Sequence, residues 1–225
     1  MTGTFVNCGT ILFGSGLGLT VGKYAPERFR TIMTQALGLA TMLIGFRMAL
    51  SGGDVLVTVG SLLLGGILGE WINIEKWMER AGEGLKKRFG ADSSTFVQGF
   101  VTASILYLTG PMAIVGSIQD GVAGDTSTLY LKAMLDGIAS IAFASLYGVG
   151  VAFSALSVFL VQGGITMSAS YLLFLKDPQV LNAITSTGGI LIIGIGLNLL
   201  NITRIKVGNL LPALLLVLIW ALLAR

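Results

Sequence analysis

The chain is 225 residues long, 54% hydrophobic and only 11% charged, with a mean hydropathy of +0.86, whereas a soluble domain carries about 25% charge. That deficit places it among membrane proteins, and its small net charge of +3 requires no nucleic acid, because the basic residues sit where a membrane protein keeps its cytoplasmic ones. One cysteine, Cys8, excludes an internal disulfide and a cysteine-cluster metal site, and the absence of histidine removes the commonest general base and metal ligand, so neither an enzyme nor a bound metal or cofactor is expected.

A membrane crossing takes about 20 mostly apolar residues. Eight such runs follow one another: Gly3–Gly22, Thr31–Leu50, Asp54–Ile72, Phe96–Gln119, Lys132–Gly150, Val151–Leu175, Gln179–Ile202 and Val207–Leu223. The first has no Lys or Arg before it and is long enough to span, so it is not read as a cleavable signal. The expected fold is all-α: a polytopic transmembrane helix bundle forming a single integral membrane domain, 1–225. Spans 1–3 fall in 1–72, a cytoplasmic segment in 73–95, spans 4–6 in 96–175 and spans 7–8 in 176–225. Residues 137–175 are thirty-nine in a row without charge, too many for one crossing. Their only turn signal is "YGVG" at Tyr147–Gly150, so a tight buried hairpin and a re-entrant segment both fit.

Lys and Arg set the orientation. With the N-terminus outside, the inner loops hold Lys23, Arg28, Arg30, Lys76, Arg80, Lys86, Lys87, Arg88, Arg204 and Lys206, ten in all. The outer side holds four: Arg47, Lys132, Lys176 and Arg225. Both termini are therefore expected outside. The segment Asn73–Phe89 places Ile74, Trp77, Met78, Ala81, Leu85 and Phe89 at helical spacing on one face, with Glu83 and Lys87 able to pair on the other. It reads as an amphipathic helix on the inner membrane surface, its basic face suited to anionic lipid.

Two blocks repeat. "VGSLL" (Val59–Leu63) matches "VGNLL" (Val207–Leu211) at four of five positions, and "MLIGFRMAL" (Met42–Leu50) lies over "LIIGIGLNL" (Leu191–Leu199). The offsets are 148 and 149 residues. Spans two and three thus echo spans seven and eight with opposite crossing sense, an inverted repeat of the kind found in secondary transporters. A second echo sets "FVQGFVTAS" (Phe96–Ser104) against "LVQGGITMS" (Leu160–Ser168), matching Gln98 with Gln162.

The fourth run carries "YLTGPMAIVGSIQDG" (Tyr107–Gly121). Pro111 cannot donate to the Tyr107 carbonyl, and its ring crowds that turn, so the span should break into two half-helices at Gly110–Pro111. Pro111–Asp120 would run about 15 Å, half a hydrocarbon core of about 30 Å, which puts the break near the midplane. Broken backbone at that depth lines either protein or a water-filled cavity. Thr109, Gly110 and Pro111 are therefore the candidate binding residues, with Gln119 and Asp120 lining the outer approach. Asp120 opposes the dipole of its half-helix, so a partner is expected in Lys132, Arg47 or a bound cation. Asp136 is read in the first turn of the fifth span, four residues after Lys132. Ser140, Ala144 and Gly148 recur every four residues, a small-residue stripe that admits another helix closely, and Ser140 would face the break. Arg47 sits near the outer end of its span, where it can snorkel. Gln35, Gln98, Gln162, Asn198 and Asn201 read as helix-to-helix hydrogen-bonding residues, and Glu70 as interfacial.

With "GPMAIVGSIQDG" (Gly110–Gly121), "KAMLDGIASIAFAS" (Lys132–Ser145), "GVGVAFSA" (Gly148–Ala155), "QGG" (Gln162–Gly164) and "GTFVNCGTILFGSGLG" (Gly3–Gly18), the chain resembles the YdfK/YqgA-like bacterial membrane proteins, a domain-of-unknown-function family. The resemblance implies a bacterial cytoplasmic membrane and no substrate. The expected partners are the lipid bilayer, a small solute or ion and a second copy of the chain. A transporter of an ion or small solute is the leading reading. A channel constricted at the same break, or a non-transporting scaffold or sensor working through Asn73–Phe89, is the alternative.

Overall fold

A computed structural model of the chain describes residues 1–24, 26–52, 54–88 and 95–223. Among them, ten α-helices and short 3-10 turns form, with no strand: α1 Thr2–Tyr24, α2 Glu27–Ala49, α3 Val55–Ile72, α4 Ile74–Arg88, α5 Phe96–Leu108, α6 Pro111–Ala123, α7 Ser127–Tyr147, α8 Gly150–Met167, α9 Pro178–Leu199 and α10 Pro212–Leu223. Five stretches are long and apolar enough to cross a membrane: Thr31–Ala49, Val55–Ile72, Ser127–Tyr147, Gly150–Met167 and Pro178–Leu199. The pair α5 and α6 makes a sixth if it is one span. Leu39, Leu43, Leu56, Leu64 and Trp71 stay exposed on α2 and α3, far more apolar surface than a soluble monomer tolerates.

The ends follow local chemistry. Asp54 caps α3, its Oδ1 accepting from the backbone N–H of Leu56 at 2.8 Å and Val57 at 3.2 Å. Asp177 caps α9 through Gln179 N–H, and Pro178 fills the first helical position. The α5–α6 helix is broken where Gly110–Pro111 predicts, with a bend of 63°. Residues 137–175 resolve into the hairpin reading: α7 ends at Tyr147, Gly148 turns the chain at φ +79°, and α8 starts at Gly150. The sixth run is shorter than expected, because 3-10 turns over Ala169–Tyr171 and Leu173–Lys176 replace its end. The amphipathic segment is a helix, but the expected Glu83–Lys87 pair is not among the ion pairs of the described residues, and both side chains are exposed. Phe89 and Arg225 lie outside the described residues.

Packing divides the chain into two units: 1–33, 79–108 and 112–173, and 34–78, 109–111 and 174–225. In the first, α1 lies along α7. A Cβ on Gly14 would run into the carbonyl of Gly137 and one on Gly18 into that of Ile141, so the two helices are parallel and in backbone contact. Ser140 and Ala144 form the facing stripe, as the sequence leads one to expect. Helices α5 and α8 also run parallel, with Gly150 against Phe96 and Ser104 Oγ donating to Ser157 Oγ at 2.9 Å. Gln162 is fully buried in α8 whereas Gln98 is exposed on α5, so the second echo does not put equivalent residues in equivalent places.

In the second unit, α9 packs antiparallel on α2, with Gly45 against Ile193 and Gly38 against Leu200. Helix α10 packs antiparallel on α3, with Gly65 against Ala213 and Gly69 against Asn209. Asn198 holds the returning chain, donating to Ile205 O at 2.7 Å and accepting from Ile205 N at 2.8 Å. Asn201 and Gln35 are exposed and Asn201 turns the chain at φ +56°, so they are not buried hydrogen-bonding residues. Glu70 is exposed and accepts from Lys206 Nζ and Asn209 Nδ2, each at 2.6 Å.

Candidate functional site

The sequence-predicted residues separate by unit. Thr109, Gly110 and Pro111 belong to the second, where Thr109 is buried and its carbonyl lies against Gly188 of α9. A Cβ on Gly110 would meet nothing within 4 Å. Gln119, Asp120, Lys132, Asp136 and Ser140 belong to the first unit. Arg47 is exposed on α2 in the second unit and forms no ion pair with Asp120 among the described residues.

Asp120 pairs with neither expected partner. Its Oδ2 accepts from the Met1 amine at 2.9 Å and from Gly3 N–H at 3.1 Å. This carboxylate on α6 therefore ties down the start of α1, and the two N–H donors offset its unfavourable place near the helix end. Gln119 Oε1 accepts from Thr128 Oγ1 at 2.7 Å, linking α6 to α7. Ser140 faces Tyr107, its Oγ 2.8 Å from the Tyr107 hydroxyl.

Asp136 stands tenth of the 21 residues of α7, not in its first turn. The helix begins earlier than expected, because Asp125 Oδ1 accepts from Ser127 N–H and starts the turn upstream of "TLYLK". Lys132 is consequently inside the helix as well, buried, and belongs to no loop. Its ammonium pairs with Asp136 one turn on and lies 6.0 Å from the Tyr107 ring centroid.

Around this pair α1 and α8 contribute two fully buried amides. Asn7 Nδ2 donates to Asp136 Oδ2 at 3.0 Å and to Gln162 Oε1 at 3.1 Å. Gln162 Nε2 donates to Thr4 Oγ1 at 3.2 Å. Thr166 Oγ1 donates to Gln162 O at 2.9 Å and stands 3.5 Å from Thr4 Oγ1. Both Asn7 N–H groups are spent in this orientation, and its buried Oδ1 has no partner. The result is a row of side chains, Asp136–Asn7–Gln162–Thr4–Thr166, crossing from α7 through α1 to α8, with Lys132 at its head. Sequence reasoning passed over Asn7, Thr4 and Tyr107. The one signal was a carboxamide inside the otherwise apolar run "FVNCGTILF".

Comparison with known proteins agrees with the resemblance carried by the "GSIQDG" and "LDG" blocks. A family model described as "Protein of unknown function (DUF554)" matches residues 2–222. The chain is similar to the "Uncharacterized membrane protein YdfK" of Bacillus subtilis (strain 168), 36% identical over 220 residues, which cover 96% of this chain and 93% of that one. It is also similar to the "Uncharacterized protein YqgA" of Escherichia coli (strain K12), 30% identical over 219 residues, covering 95% and 93%. No solved structure matches. With a family match over nearly the whole length and two relatives aligned end to end, the chain belongs to the DUF554 family.

Proposed function

We propose that the protein is a multi-pass transporter of an ion or small solute in the bacterial cytoplasmic membrane, and that the substrate path runs through the polar centre of the first unit. The observation that carries this reading is the Lys132–Asp136 pair, buried among apolar helices and hydrogen-bonded to the fully buried amide of Asn7, which in turn donates to that of Gln162. Ionisable side chains inside a membrane are costly and mark ion or substrate pathways, proton relays or counter-ions. Gln119 and Asp120 line the outer approach, and the α5–α6 span is broken at Gly110–Pro111 as discontinuous transporter helices are. A channel using the same groups differs only in how access is gated.

Two further features support the reading. In an eight-crossing chain with both termini outside, spans one and five run the same way, as do four and six. Parallel α1/α7 and parallel α5/α8 fit this, and so does α1 against α8, antiparallel through Thr4–Thr166 and Asn7–Gln162. The second unit is built of the helices that carry the sequence echo. A two-fold axis between antiparallel helices makes the residue nearest the axis touch its own repeat-mate. Gly65 lies against Ala213, 148 residues on, the offset of the "VGSLL"/"VGNLL" match, whereas Gly45, whose mate in the 149-residue block is Gly194, lies against Ile193. Locally the mates differ, since Val207–Leu210 is a 3-10 turn and Val59–Leu63 is α-helical.

The test is solute flux in liposomes, screened over ions and small metabolites, with Asp136→Asn beside the wild type. Flux that falls in the variant at equal folded protein is expected. Flux that is unchanged removes the centre from the path. Absence of flux for every solute favours the second reading, a scaffold or sensor acting through the exposed Lys76, Trp77, Arg80, Lys87 and Arg88 of α4.

A further inference from the structure

The row from Asp136 to Thr166 has a chemical property that a merely structural hydrogen-bond network does not need: it can be read in both directions. In the present direction an ionised Asp136 accepts from Asn7 Nδ2 and from Lys132, Gln162 Oε1 accepts from Asn7, and Thr4 Oγ1 accepts from Gln162. Every member can exchange donor for acceptor, a carboxamide by turning over and a hydroxyl by rotating its proton. Turned over, Asn7 presents Oδ1 to Asp136 and to Gln162, Gln162 presents Nε2 to Asn7, and Thr4 donates to Gln162 Oε1. That reversed row fits a protonated Asp136, which needs an acceptor where it now meets a donor. The atom required is Asn7 Oδ1, the buried oxygen left without a partner in the present direction.

We infer that Asp136 is a proton-binding site, and that the Asn7–Gln162–Thr4 row is the device that holds it in either protonation state. The ligand class is settled by charge and room. Every member of the row but Asp136 itself is at most 4% exposed, and a proton is the one cation that needs no volume. A metal ion would stand beside the Lys132 ammonium, against its charge. A proton adds to the Asp136 carboxylate, the O–H so formed donates to Asn7 Oδ1, and the ion pair with Lys132 is released. Tyr107, whose ring faces the ammonium, remains as its neighbour. The titratable groups facing the pair from the packed elements are Lys132 on α7 itself, Tyr107 on α5 and, toward Lys132, Cys8 on α1. Helix α8 offers only the neutral Gln162 and Thr166. Nearby on α6, Asp120 is occupied by the Met1 amine and Gly3 N–H.

This inference rests on reading the centre as a transport site, with the proton as coupling ion. The experiment is infrared difference spectroscopy of the full-length protein in phosphatidylethanolamine–phosphatidylglycerol vesicles, stepped from alkaline to acidic buffer. The same vesicles carry a trapped pH dye to follow proton entry. A carbonyl-stretch band of a protonated carboxyl, shifting in D2O, is expected in the wild type. It should be lost in Asp136→Asn, kept in Asp136→Glu, and accompanied by changes in the carboxamide bands that Asn7→Ala removes. If Asp136→Asn fails to fold, the Asp136→Glu and Asn7→Ala spectra still decide. No carboxyl band, or one untouched by all three substitutions, overturns the proton site. A band that depends on Asp136, without dye-reported proton entry, upholds the site and sinks the transport reading. Solute flux without the band does the reverse.

Discussion

The two units draw on the same apolar alphabet and bury very different things. Among the described residues, all three buried charged side chains, Asp120, Lys132 and Asp136, are in the first unit. Among the described residues the second buries Thr41, Thr58, Ser61, Thr109, Thr185, Ser186, Thr187 and Asn209 but no charge, and its helices meet glycine to backbone. A close glycine seam satisfies packing and nothing more. A buried ion pair in a membrane brings desolvation that packing does not require, and replacing such pairs by apolar residues is often neutral or stabilising. The difference teaches where to look: the described buried side chains of the second unit are all neutral, and the first carries groups that stability alone does not explain.

Breaking the comparison starts with its costliest feature. Lys132→Ala leaves Asp136 charged and unpaired in an apolar setting, and should destabilise by about 3–5 kcal/mol, read as a fall in thermal stability in detergent. A change near zero would mean that the pair is wet and the first unit is no drier than its surface. In the second unit Gly189→Ala drives a methyl into the backbone of Ala49 and Gly45. It should lose about 1–3 kcal/mol while leaving flux per folded molecule unchanged. A specific loss of flux in this variant would show that the α2–α9 seam does more than pack.

A smaller effect sharpens the helix break. Pro111→Ala allows a bond to the Tyr107 carbonyl, worth about 0.5–1.5 kcal/mol net, so the variant should be as stable as wild type or more so, with reduced flux. Reduced stability with undiminished flux would make the break a packed kink. The smallest effect lies in the loop before α7. Asp125 is exposed, and the backbone N–H of Ser127 holds its carboxyl below the usual carboxylate range. Its contribution is present above the unfolded-state value and is lost as pH falls through the lower, folded one. Asp125→Asn should flatten that part of the acid limb of a stability-against-pH curve, and an unchanged limb would show that the turn bond is idle.

Much of the fold was legible because it is local. The runs beginning at Asp54 and Gln179 start within a residue of α3 and α9, Gly110–Pro111 announces a break, and Ser140–Ala144 announces a close helix contact. The site was less so. Asp136 was read at a helix start because the stretch before Lys132 looks like loop, until the turn that Asp125 makes with Ser127 N–H is seen to start the helix at Ser127. Asn7 carries no sequence mark of its role, since its partners lie 129 and 155 residues further on. Asp120 was given a side-chain partner because the Met1 amine and Gly3 N–H, which it uses, are backbone groups that no side-chain inventory includes.

The most direct test removes both charges at once. The double variant Lys132→Met, Asp136→Leu replaces the pair by apolar side chains and leaves no buried ion alone. It should be as stable as wild type, or more stable by up to about 4 kcal/mol, and should carry no flux in liposomes. A double variant that folds and transports like wild type would show that the buried pair is only a structural tie, and would contradict the account.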